Sequence, residues 1–81
     1  MWIKSEDGKL FHLESAYCVQ VDDRGDGQFV VVVEYSPSDV RSFNLTHRIT
    51  REAAHRVLDE IENALGRGEK LLNLCPNGDC E

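Results

Sequence analysis

DDRGDGQFVVVVEY, residues 22–35, decides how this chain folds. Its second half is the most β-prone segment, four valines between Phe29 and Tyr35. Strand alternation puts Phe29, Val31, Val33 and Tyr35 on one face and Val30, Val32 and Glu34 on the other. Its first half is acidic and glycine-softened. Gly25 and Gly27 permit positive φ, and Asp22, Asp23 and Asp26 can bond to nearby backbone, so the segment reads as a turn. Upstream, Tyr17, Val19 and Val21 alternate with Cys18, Gln20 and Asp22, the pattern of a half-buried strand. A hairpin follows, with the turn setting its register.

Two chemical readings of residues 22–33 fail. A calcium loop of the EF-hand type needs ligands at its first, third and fifth positions, glycine at the sixth and a bidentate glutamate at the twelfth. Asp22, Asp26 and Gly27 fit, but Arg24 stands at the third position and Val33 at the twelfth, with Glu34 one residue late. Arg24-Gly25-Asp26 matches an adhesion tripeptide, which requires an extracellular protein, and no other feature points to one.

Working outward, residues 1–5 and 10–14 read as two short strands joined by Glu6-Asp7-Gly8-Lys9, where Asp-Gly is a strong hairpin signal. Ser36-Pro37-Ser38-Asp39 is a turn by composition, and residues 40–46 form a further strand with Phe43 and Leu45 on one face. Thr50 is a good helix N-cap and Glu52 suits the first turn, although Ala53 leaves the capping box incomplete. Ala54, Val57, Leu58, Ile61 and Leu65 recur at helical spacing, Glu52 and Arg56 are spaced for an ion pair, and Gly66 and Gly68 mark the stop. Residues 71–74 suit one short extended segment. The expected fold class is α+β: an antiparallel meander of about five short strands, one amphipathic helix packed on one sheet face, and a short extended carboxyl-terminal segment. A single domain spans residues 1–76, with a polar, flexible tail at 77–81.

The 81-residue length supports one domain with a thin core, since a chain this short buries only about 60% of its unfolded surface. Dimerisation, a metal or a disulfide commonly supplements such a core. Fifteen acidic residues against nine basic ones give a formal net charge of −6, and no basic cluster occurs, which argues against nucleic acid as a partner. The longest uncharged apolar run, residues 29–33, is far short of the roughly 20 residues of a membrane helix. The amino terminus has neither a secretory nor a transit pattern, so a cytoplasmic location is expected. Cys18, Cys75 and Cys80 form no disulfide framework, in keeping with a reducing compartment.

One helix covers one sheet face, and leaving Val30 and Val32 in water is unfavourable at about 25 cal/mol per Å². Either the sheet and terminal segments bend to cover them, or a second copy does. A homo-oligomer, most simply a dimer, is the preferred expectation, with Val30 and Val32 as interface residues.

Candidate sites for chemistry are few. Cys75 and Cys80 have the spacing of half a zinc site, completed by a second subunit or by His12, His47 or Cys18. They could equally close a small disulfide loop or remain thiols in the tail. Cys18 on a strand reads as packing rather than as a nucleophile. His55 belongs to the polar helix face. His47 and Arg48 precede the helix amino terminus, where an anion could settle, but Thr50 already caps those N–H groups. Trp2 and Tyr17 suit core or interface better than ligand stacking. Neither a catalytic group nor a cofactor is expected, and the chain reads as non-enzymatic.

Met1-Trp2-Ile3, then Asp7-Gly8 and a leucine, then Ala53 with Val57-Leu58-Asp59-Glu60-Ile61, carry a resemblance. They resemble a family of small uncharacterised proteins of Gram-positive bacteria and their phages, which begin Met-Trp-Ile and end in a helix of the form A-x-x-V-L-D-E-I. A short apolar stretch ending near a proline closes many of them, and residues 71–76 look similar. Residues 42–48 and the cysteine-bearing tail depart from that pattern. The resemblance implies a fold and a possible phage connection, with no functional residues to carry over.

Three functional readings follow. The leading one is a self-associating interaction module. A second is a protein that sequesters a nucleotide or similar anion at an oligomer seam, which requires Arg24, Arg41, His47 and Arg48 to converge. A third is a metal-bridged dimer through Cys75 and Cys80.

Overall fold

The computed structural model describes residues 1–35 and 42–74. The chain runs β1 (Trp2–Lys4), β2 (Leu10–His12), a 3-10 turn (Leu13–Ser15), β3 (Cys18–Gly25), β4 (Gln28–Glu34), β5 (Ser42–Asn44), α1 (Arg51–Gly66) and β6 (Leu71–Asn73). The α+β class holds. The strands, however, divide into two three-stranded sheets, ordered β2-β1-β6 and β3-β4-β5, rather than one continuous meander.

The hairpin at residues 22–35 forms as its pattern requires, with Val21 opposite Val31 and Val19 opposite Val33. β3 runs on to Gly25, further than the alternation alone indicates, leaving Asp26 and Gly27 as a two-residue turn. Both have positive φ, 54° and 72°, the signature of the tight hairpin turn whose twist matches that of its strands. The register shifts between Asp23 and Gly25, so Arg24 occupies a bulge.

β1 and β2 pair antiparallel around the Asp7-Gly8 turn, with Gly8 at φ 89°. Buried Ser5 organises this turn: its hydroxyl donates to Asp7 Oδ1 and accepts from the Lys9 N–H at 3.1 Å. The β1–β2 turn is fastened to the second sheet, where the Glu6 N–H donates to the Leu45 carbonyl at 2.9 Å and Glu6 Oε1 accepts from the His47 N–H at 2.6 Å.

Thr50 caps α1, its hydroxyl accepting from the Ala53 N–H at 3.2 Å. The helix ends in a Schellman arrangement: Glu69 N–H to Ala64 O and Gly68 N–H to Leu65 O, both 3.1 Å, with Gly68 at φ 71°. That cap turns the chain directly into β6, which pairs with β1 in parallel, Ile3 opposite Leu72.

Met1 and Ile3 from the first sheet, Val31, Val33 and Leu45 from the second, and Ala54, Ile61 and Ala64 from the helix form one core. Phe11, Val19, Val21, Phe29, Tyr35, Val57 and Leu72 pack against it. The helix stripe is displaced from the sequence expectation. Ala64 is buried where Leu65 was expected, and Leu65 stays about half exposed on the flank. Ala54 and Ala64 are small enough to let the helix backbone approach the sheet. The spaced pair Glu52 and Arg56 makes no ion pair among the described residues.

Val30 and Val32, expected at a dimer interface, are 2% and 1% exposed in the single chain. They are therefore covered within the single chain and need no second copy to keep them from water. Their face is shared with Gln20, Asp22 and Asn44, which stand opposite Val32, Val30 and Val32 on the flanking strands. Arg24 spans it, with Nε 2.8 Å from Asp22 Oδ2 and a terminal N–H donating to Asn44 Oδ1 at 3.0 Å. Long polar side chains shelter apolar surface with their stems while keeping their heads wet.

Residues 36–41 and 75–81 lie outside the described residues. The turn read at Ser36-Pro37-Ser38-Asp39, the tail at 77–81 and the roles weighed for Cys75 and Cys80 fall there.

Two measurements check these assignments. Gly27→Ala meets no steric obstacle, so its cost is the positive φ alone, about 1–2 kcal/mol. The melting temperature should fall by at least about 4 °C, while Gly66→Ala, with equal space in helical backbone, should leave it unchanged or raise it. Separately, the Ser5 hydrogen bond, aided by the Lys9 charge, holds the Asp7 carboxyl below its ordinary value. A lowered folded-state pKa contributes stability above about pH 3.9, the unfolded value, and loses it as the pH falls through the folded one. Urea midpoints followed into that acid range should therefore decline less steeply in Asp7→Asn than in the native chain.

Candidate interaction surfaces

The structure shows what the polar candidates do with their bonding capacity. In the opening loop, Asp22 holds Arg24 and Asp23 Oδ1 accepts from the Gly25 N–H at 2.8 Å, so two of its three acids serve the turn and the bulge. Arg48 donates to Gln28 Oε1 at 3.4 Å, and the His47 ring nitrogen Nδ1 lies 2.6 Å from Glu6 Oε1. Arg24, His47 and Arg48 are thus held by different neighbours rather than brought to one pocket, and Arg41 lies outside the described residues. The depression beside His47 is lined by Glu6 and Asp7, a poor cradle for an anion.

His12 bonds Ser15 Oγ at 3.0 Å and lies 3.1 Å from Glu14, which also takes the amino-terminal ammonium. His55 sits exposed on α1, as its position on the polar face requires. Cys18 is half-buried and faces Glu34 across the hairpin. Among the described residues no three His, Cys, Asp or Glu side chains gather as metal ligands. No helix among them is long and apolar enough to cross a membrane.

Several of the apolar side chains left in water gather together, whereas Phe43, 40% exposed on β5, stands apart against Phe11 and Tyr35. On the outer face of the first sheet, Trp2, Leu10 and Leu71 are 47%, 58% and 50% exposed. Trp2 is opposite Leu71 on one neighbouring strand and His12 on the other, and its ring stacks on His12 with centroids 4.7 Å apart. Trp2, Leu10, Lys70 and Leu71 line one shallow, nearly wholly apolar depression. Large exposed apolar patches on small domains mark interaction sites.

A second apolar surface lies between α1 and the free edge of β3. Leu13, Ala16, Cys18, Val19, Leu58, Ile61 and Leu65, with Glu62 on the rim, line an open groove of about 400 Å³. Tyr17, close by in sequence, is well exposed.

Sequence reasoning read Trp2 and Tyr17 as core or interface aromatics, of which neither is core, and it did not bring Leu10 and Leu71 beside Trp2. Those two join it only because β1 is the central strand and β6 returns parallel to it, a long-range pairing with no local signal. The flank position of Leu65 was legible in principle from Ala64, which offers the better-placed small residue.

Comparison with protein families, with curated proteins and with solved structures returns no match. The surfaces are accordingly read from their own residues.

Leu10→Ser and Leu71→Ser test whether the sheet patch is surface rather than core. Each should change unfolding stability by less than about 1 kcal/mol, well short of a core truncation. The only tryptophan, Trp2, should be quenched by acrylamide in the native protein and shielded whenever a partner occupies that face.

Proposed function

We propose that this chain is a small, non-enzymatic interaction module of the cytoplasm that works by self-association, most simply as a dimer. One contrast carries the reading. The side chains suited to chemistry, His12, Arg24, His47 and Arg48, are engaged with neighbours. Large apolar side chains are instead left in water, Trp2, Leu10 and Leu71 on one surface and Leu65 at the rim of a second. The first contact a second copy meets is therefore apolar area, whose burial drives association.

The sequestering alternative is not favoured by the separate engagement of Arg24, His47 and Arg48. A metal-bridged dimer through Cys75 and Cys80 rests on their spacing alone. The proposed setting, phage-related and Gram-positive, rests on the resemblance of the Met1-Trp2-Ile3 start and the helix sequence.

Sedimentation velocity over a wide concentration range tests the module. A reversible monomer–dimer equilibrium is expected, without dependence on reductant or chelator; a strict monomer at the highest concentration overturns self-association.

A further inference from the structure

We infer that the seam of this dimer is α1, packed against the same helix of a second copy in antiparallel fashion about a two-fold axis near Leu58. The inference rests on the self-association reading and names its surface.

Ala54, Ile61 and Ala64 are the buried residues of α1 and define its inward side. On its flank, Arg51, His55, Leu58, Glu62 and Leu65 follow one another at alternating steps of four and three residues. That spacing draws one straight stripe along a helix, the geometry of a helix–helix seam. Leu58 and Leu65 of the stripe border the groove against β3, and Arg51, His55, Glu62 and Leu65 are exposed.

The charges along α1 are sorted. Arg51, His55 and Arg56, against Glu52 alone, occupy its amino-terminal half, whereas Asp59, Glu60 and Glu62 occupy the other half, with no basic residue in the last turn. Basic residues near a helix amino terminus and acids toward its carboxyl terminus oppose the macrodipole. No ion pair among the described residues uses Arg51, Arg56, Asp59, Glu60 or Glu62.

An antiparallel copy reverses that order. Leu58 then meets Leu58 at the axis, Glu62 comes beside the partner copy's His55 position and within one helical turn of its Arg51 position, and Leu65 lies along that arginine's aliphatic stem. Basic half faces acidic half twice over, and the two macrodipoles oppose. A parallel arrangement would set acid against acid. A stripe that complements itself only when reversed is what an isologous interface requires, which is why the occupant is a second copy rather than an unrelated acidic or basic protein.

Sedimentation equilibrium on the full chain tests this with native protein, Glu62→Arg, Arg51→Glu, and the double variant R51E/E62R. Each single variant should weaken the dimer by about tenfold or more, because like charges then face each other at both symmetric positions. The double variant should recover most of the native affinity. Each substitution accords with the helix dipole, so circular dichroism and monomer melting should be native or better, separating lost association from lost folding. A dimer indifferent to both single variants but dissociated by Leu71→Glu would move the seam to the sheet patch, overturning this inference and leaving self-association intact. A folded double variant that stays monomeric would overturn the antiparallel register. A native protein monomeric at every concentration would overturn the inference and the reading beneath it together.

Discussion

β4 is buried on both of its faces, with residues 30–34 all out of water, and the rest of the molecule is arranged to keep them so. In a chain of 81 residues, which buries only about 60% of its unfolded surface, the two faces of that strand have different neighbours. The inner valines, Val31 and Val33, receive an apolar core assembled from α1 and the first sheet. The outer pair, Val30 and Val32, sits among Gln20, Asp22, Arg24 and Asn44, whose polar ends pair with each other or with Glu34. Buried Glu34 itself accepts from Gln20, a satisfied acceptor at the end of that row.

Local features were the legible part of this fold. Asp7-Gly8 and Asp26-Gly27 announce their hairpins because positive φ is a property of a residue and its immediate neighbours. Thr50 and Gly68 announce the helix ends for the same reason. Alternation sorted Phe29, Val31, Val33 and Tyr35 to the core side without error. What alternation does not carry is how strands are shared between sheets. The split into two sheets and the parallel placement of β6 depend on pairings across most of the chain. Burial by long polar side chains was equally hidden, since a pattern of apolar letters counts Arg24 as exposed and silent. The valine face is covered within the single chain, and across it Arg24, from its bulge position, reaches Asn44.

The candidate surfaces share this origin. Trp2, Leu10 and Leu71 become one patch only through the long-range sheet, and the groove beside Leu58 and Leu65 exists because Ala64, not Leu65, faces the core. On the proposed reading, function in this small domain resides in what the packing leaves over. Polar groups of the turns and loops are committed to holding them, as Glu6 does for His47 and Asp23 for the Gly25 amide. The remainder is apolar area and the sorted charges of one helix.

The parallel pairing of β1 with β6 also governs the order in which the molecule can be built. β1 is the middle strand of its sheet, and its far side stays open until β6 has been synthesised and α1 has delivered it. During that interval the β3–β4 hairpin can close on its own local turn, while Ile3 waits for Leu72. Loop closure over nearly the whole chain is the slow kind of contact. One edge of β1 is therefore secured through the local Asp7-Gly8 turn and the other only by a pairing that spans most of the described residues.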